Sequence, residues 1–334
     1  MNTIDRAIMN ALTVNLGYRE NEKVGVVFQE WSTAVGEDYR KKFMESEELC
    51  QRMIFVFHSN DVPAVLLPYV PVEARNGADA VPELYEMAKG LDVLFMPVVF
   101  SLTHTPFRKA MTSHGARIAS MPGFTLEMFE QGGPMDTDYE KLAVDTHKIQ
   151  QKLAASRFVQ VTAPGTDMRI EIVPETAHAS TGMLDKPGAF GNLPGAEAYA
   201  LPLEGGTSGG YFTVPTGWGG QIPLPFPVKF TVVNNRFVNI EGADTEQQAW
   251  IDQHIKPLIM EQENFNVLAE LGIGTNPNLN EEYISKHGWG ILTAEKISGS
   301  AHFANGNNAG FGGKNNVPVH IDWVVPGVKI SYQE

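Results

Sequence analysis

Four short, uninterrupted apolar runs punctuate the first 120 residues: Lys23-Val24-Gly25-Val26-Val27-Phe28, Met53-Ile54-Phe55-Val56-Phe57, Val93-Leu94-Phe95-Met96 and Ala116-Arg117-Ile118-Ala119-Ser120. A strand with one wet face alternates apolar and polar side chains. A run without alternation is covered on both faces, as in a parallel sheet between two helix layers. Stretches with helical periodicity near residues 3–15, 38–53, 83–89 and 138–154 supply those layers. The pattern predicts a doubly wound α/β domain with a mostly parallel sheet over residues 1–155. No Gly-x-Gly-x-x-Gly turn follows the first run, so no dinucleotide site is expected.

Past Ala155 the pattern changes to strand-like segments with Gly and Pro punctuation, at residues 157–162 and 167–173, followed by a turn-rich stretch at 185–196. One helix is predicted from Glu246 to Glu270, with Ile251, Ile255, Leu258 and Ile259 on one face and a kink at Pro257. The expected second domain, residues 156–334, is therefore α+β. The length of 334 residues favours two domains over one, and a hydrophobic content of 43% is that of an ordinary globular protein. The net charge of −14, from 39 acidic and 25 basic residues with no Lys/Arg run, argues against a nucleic-acid surface. A single cysteine, Cys50, excludes a disulfide framework and a Cys-rich zinc module. No apolar run is long enough to span a bilayer and no secretory leader pattern opens the sequence, so a cytoplasmic protein without a membrane partner is expected.

The segment Val317-Pro318-Val319-His320-Ile321-Asp322-Trp323-Val324 alternates strictly and reads as a strand. Side chains at i and i+2 share a face about 6.5–7 Å apart along the chain, so His320 and Asp322 point into one space. Two readings stay open: a pair of ligands for a divalent metal, or the polar face of an edge strand. Upstream, Glu295 and His302 flank a turn in a Gly- and Asn-dense segment at residues 299–316. Glu270 stands where the predicted helix ends, a position unfavourable for an acid unless a cation compensates it; otherwise it is a solvated glutamate. Glu197 follows the Pro194-Gly195 turn. Gly206-Thr207-Ser208-Gly209-Gly210 matches the serine-hydrolase pattern G-x-S-x-G but leads into a strand rather than a helix, so Ser208 reads as a turn residue.

Taken in order, Asn192-Leu193-Pro194-Gly195-Ala196-Glu197, Glu270-Leu271-Gly272-Ile273-Gly274-Thr275-Asn276, the stretch from Glu295 through His302 to Gly306, and His320-Ile321-Asp322 resemble four elements of the aminopeptidase T family, the M29 metallopeptidases. The resemblance implies a two-metal site with Glu197, Glu270, His302, His320 and Asp322 as ligands and Glu270 as the bridge. It further implies two divalent ions (zinc, cobalt, manganese or magnesium), an activated water, and Glu295 as the acid/base or a supporting group. The activity implied is removal of the N-terminal residue from a short peptide, or cleavage of a small amide, by a homodimer.

The sequence departs from that family in two places. Asn308-Ala309 stands where a tyrosine is typical, and only 18 positions separate His302 from His320. A second enzyme class resembles 2,5-dihydroxypyridine dioxygenase, in which one iron is held by two histidines and an acid. His302, His320 and Asp322 match that set, while Glu270 stands where the dioxygenases carry a histidine. A metal-binding relative without turnover is the third expectation.

Overall fold

A computed structural model of the chain describes residues 2–288 and 290–333. They pack as two compact units. The first comprises the residues up to Lys141 together with Gly182–Gly195; the second comprises Leu142–Thr181 and the residues from Ala196 onward.

Strands β1 (Val24–Gln29), β2 (Ala64–Tyr69), β3 (Val93–Met96) and β4 (Arg117–Ser120) interleave with helices α1 (Thr3–Asn10), α2 (Arg40–His58), α3 (Pro82–Ala88) and α4 (Pro106–Ser113). After α5 (Tyr139–Ala154) come β5 (Phe158–Ala163), β6 (Thr166–Glu171) and β7 (His178–Ser180), all in the second unit, before β8 (Phe190–Asn192) returns to the first. The first unit's sheet has the order β2-β1-β3-β4-β8, with every neighbouring pair parallel. Every residue of β1, β3 and β4 is buried, as unbroken apolar runs require.

Two details differ from the sequence reading. Met53–Phe57 is not a strand but the last turns of α2: Leu49, Cys50, Met53, Val56 and Phe57 are buried at helical spacing while Phe55 is 58% exposed. The strand beside β1 is instead β2, whose Pro68 is tolerated because β2 lies at the sheet edge. The sequence places a boundary near residue 155, where α5 ends. The packing divides the chain at Lys141/Leu142 and carries 182–195 back, because β8 pairs with β4.

The second unit continues with β9 (Glu197–Ala200), β10 (Gly209–Val214), β11 (Val228–Val233), β12 (Arg236–Glu241), α6 (Thr245–His254), α7 (Lys256–Met260), β13 (Leu268–Gly274), β14 (Ala301–Gly306), β15 (His320–Val325) and β16 (Lys329–Gln333). Two antiparallel sheets form, in the orders β12-β11-β10-β6-β5-β16 and β15-β14-β13-β9-β7. Their inner faces meet through aromatic rings: Phe212 on Phe303 at 4.6 Å and Phe230 on Trp323 at 4.8 Å. The long helix expected from Glu246 to Glu270 is two short helices ending at Met260, with Pro257 in the first turn of α7 and Ile251, Ile255 and Ile259 buried. Glu270 consequently lies mid-strand in β13 and not at a helix end. The Gly- and Asn-dense segment likewise contains a strand, β14, which carries His302. No helix among the described residues is long and apolar enough to cross a membrane.

Candidate metal centre

Four neighbouring strands of the five-stranded sheet bring the acidic and imidazole side chains together. In register, Glu197 of β9 faces Gly274 of β13, His302 of β14 faces Gly272, Glu270 and Asp322 both face Ala304, and His320 faces Gly306. These positions share the sheet face opposite Leu271, Ile273, Phe303, Ile321 and Trp323, which enter the core. Small residues alternate with the ligand candidates for a steric reason. A Cβ on Gly272 would fall onto Nε2 and Cε1 of the His302 ring. One on Gly274 would strike the Ile297 carbonyl and come within 2.7 Å of the Lys296 carbonyl carbon and 2.8 Å of the Glu295 carbonyl oxygen. The glycines of Glu270-Leu271-Gly272-Ile273-Gly274 thus admit an imidazole and the Glu295–Ile297 backbone onto the strand, while the intervening Leu271 and Ile273 anchor it.

The ligand atoms converge on one space. His302 Nε2 lies 3.3 Å from Glu270 Oε1, 3.6 Å from Glu197 Oε2 and 3.9 Å from Asp322 Oδ1. His320 Nε2 lies 3.3 Å from Asp322 Oδ1 and 3.7 Å from Glu270 Oε2. Asp322 Oδ1 is buried, yet it accepts no hydrogen bond among the described residues. Ligand atoms on one ion with bonds near 2.1 Å sit roughly 3.0–3.4 Å apart, close to these separations. His320 Nδ1 is 2.7 Å from the Asn307 carbonyl oxygen, to which it donates, leaving Nε2 with its lone pair toward the cluster. The groups whose ligand atoms all lie within 4.8 Å of one another are Glu197–Glu270–His302 and Glu270–His320–Asp322. Three carboxylates and two imidazoles fit a divalent ion, and Glu270 belongs to both groups.

Lys296 completes the site. It is fully buried, and its Nζ donates to Glu197 Oε1 at 2.6 Å and to Glu295 Oε1. Burial opposes its charge, but the two carboxylates outweigh burial and hold the ammonium above its ordinary range. Glu295, implied by the resemblance to be the acid/base or a supporting group, is 9% exposed, and desolvation pushes its carboxyl up to about 8 despite Lys296. Burial also raises Glu270. Both histidines are disfavoured as cations by burial. The hydrogen bond to Glu270 and the Asp322 charge nevertheless raise His302 to about 9, and Asp322 raises His320 to about 10. Asp322 is held below the usual carboxylate range against its burial, chiefly by His320. Without a cation the imidazoles take up protons to balance the carboxylates; a metal would replace those protons.

The sequence matches the family of 2,5-dihydroxypyridine 5,6-dioxygenase, NicX, over residues 51–332. The chain belongs to this family. Solved structures that share the fold include two that span nearly the whole chain. One is 2,5-dihydroxypyridine dioxygenase from Pseudomonas putida KT2440, at 16% identity over 98% of this chain and 93% of that one, with a TM-score of 0.71. The other is wild-type AmpT from Thermus thermophilus, at 16% identity over 99% and 95%, with a TM-score of 0.63. No curated protein matches the sequence.

Membership in the NicX family favours the second enzyme class read from the sequence. The aminopeptidase resemblance rests on its motifs and on the shared fold of AmpT. Within this NicX-family chain all five expected ligands lie on one sheet face, with Glu295 reaching their edge through Lys296. Neither Lys296 nor Gly272 was assigned a role from the sequence. The alternation of glycine with Leu271 and Ile273 after an acid was the available sign of a crowded strand face.

Proposed function

We propose that the chain is a metal-dependent ring-cleaving dioxygenase that opens a dihydroxylated aromatic ring, of the kind exemplified by 2,5-dihydroxypyridine. The observation that carries this reading is the family match over residues 51–332. The site geometry supports it. Glu270, His320 and Asp322 form a compact group on the more open side, with the His320 side chain 25% exposed. Glu197, on the inner side, is already engaged by the Lys296 ammonium, which opposes a second dication beside it. A metal bound by Glu270, His320 and Asp322 would supply a Lewis-acidic, redox-capable centre for the ring and oxygen. The chain's own contribution is positional and acid–base. The Asn307 carbonyl orients His320, Gly272 keeps the His302 ring beside Glu270, and Glu295, its carboxyl raised to about 8 by burial, is the acid–base group at their edge.

One observation favours a second reading, hydrolysis of a short peptide or small amide: the two candidate groups share Glu270. Two ions about 3.5–4 Å apart would hold a water between them. Metal content of protein purified without chelator, measured alongside oxygen uptake on 2,5-dihydroxypyridine and amine release from aminoacyl substrates, separates the two. About one iron per chain with oxygen uptake is expected. About two ions with hydrolysis and no uptake would replace the first reading by the second. A chain that binds no metal would end both.

A further inference from the structure

The sheet face that carries the ligand candidates also carries rings that neither the core nor the metal group uses. Tyr199 lies two residues along β9 from Glu197, opposite Gly272 of β13 and His178 of β7. Phe311 is the one large apolar residue between Gly306 and Asn316, a stretch otherwise made of Gly, Asn, Ala and Lys. Its turn is held by a polar frame. Asn308 Nδ2 donates to Glu204 Oε1 at 3.2 Å, the Asn315 amide to Asn308 Oδ1 at 2.8 Å, and Asn315 Nδ2 to the Gly306 and Asn264 carbonyls at 2.6 and 2.9 Å. So held, the Phe311 ring sits 5.4 Å from the His320 imidazole and 5.5 Å from the Tyr199 ring, with His178 5.1 Å beyond Tyr199. Tyr199, Phe311 and His320 all remain partly exposed. A hydrophobic residue placed at the end of a polar frame and left partly open to solvent beside a ligand candidate is not stabilising a core.

We propose that Tyr199 and Phe311 form the recognition surface for a planar aromatic substrate, whose ring packs against them while an oxygen substituent faces His320 and Asp322. The Tyr199 hydroxyl donates to a second polar substituent. This inference rests on the ring-cleaving reading for its choice of substrate class, and it names the residues that would impose it. Each aromatic contact of this geometry contributes roughly a two- to tenfold preference over an aliphatic group of similar area.

The test is calorimetric titration of metal-loaded, full-length protein with benzoate and with cyclohexanecarboxylate, which share a carboxylate and differ in the ring. Wild type is expected to bind benzoate at least about tenfold more tightly. In Phe311→Leu and Tyr199→Leu the ratio should fall toward about twofold with metal content unchanged, whereas Tyr199→Phe should keep it. Equal affinities in wild type, or a ratio untouched by both leucine variants, would overturn the inference. The wild-type ratio is decisive even where a variant fails to fold. Because binding is read without turnover, absence of ring preference in wild type counts against this surface whatever reaction the site performs. Absence of oxygen uptake counts against the ring-cleaving reading alone.

Discussion

Replacing Gly272 with alanine asks whether the shape of β13, and not only its donor atoms, makes the site. The added Cβ would overlap Nε2 and Cε1 of His302 and approach Cδ2 to 2.8 Å. Overpacking in a tight interior costs about 1–3 kcal/mol. The strain is relieved only if the imidazole swings away, which takes Nε2 from Glu270 at 3.3 Å and Glu197 at 3.6 Å. Gly272→Ala should therefore lower stability in denaturant by about 1–3 kcal/mol and weaken metal binding by roughly 10–100-fold, the loss typical of disturbed support around a ligand. The decisive control is His302→Ala. With the ring gone the three atoms nearest the methyl group are removed, and Gly272→Ala in that background should cost less than about 0.5 kcal/mol, so the double-mutant cycle yields nearly the whole penalty as coupling. An undiminished penalty in the His302→Ala background, or wild-type metal affinity in Gly272→Ala alone, would refute the argument.

Lys296→Met should destabilise the chain by about 3–5 kcal/mol, because it leaves the Glu197 carboxylate buried without its cation; thermal unfolding reads the loss, and Glu197→Gln added to it should recover part. Asp322→Asn keeps the side-chain size but removes the charge beside His320, and equilibrium dialysis should show metal affinity lowered by at least roughly tenfold. In chelator-treated protein, His302 and His320 are raised to about 9 and about 10, above the unfolded value near 6.5. Their stabilisation is thus fully present below about pH 6.5 and is lost as pH rises through 9–10, so the unfolding midpoint should fall over that range. Metal-loaded protein, which uses neutral imidazoles, should lack that fall, and metal addition to the chelator-treated protein at pH 7 should release protons measurable with an indicator dye.

The site was legible where its geometry is local. His320 and Asp322 share a face because strand alternation places them there, and that follows from two residues of sequence. Glu270 was misplaced because the apolar spacing of Ile251, Ile255 and Ile259 extrapolates smoothly past Met260, while the switch to period two becomes visible only from Leu268 onward. The convergence of β9, β13, β14 and β15 depends on pairing between distant segments, Glu197 with Gly274 across 77 positions among them, which periodicity cannot encode; the order of the four motifs carried that information instead. In the first unit, unbroken apolar runs disclosed the parallel sheet. Met53–Phe57 satisfied the same criterion as a buried helix end, and β2 escaped notice because Pro68 reads as a break unless the strand is known to be an edge.

The return of β8 to the first unit has a consequence for synthesis. The polypeptide must emit β5, β6 and β7, which belong to the other unit, before Phe190–Asn192 can cover the outer edge of β4, where the Arg108 guanidinium lies 3.7 Å over the Phe190 ring. While the ribosome is between those points, the nascent sheet shows a bare parallel edge at β4, a template for pairing with another chain. A fragment cut near residue 155 would keep that edge permanently open, whereas one reaching Gly195 would close it at the cost of carrying an unfinished piece of its neighbour. The two units are thus interleaved in time as well as in sequence.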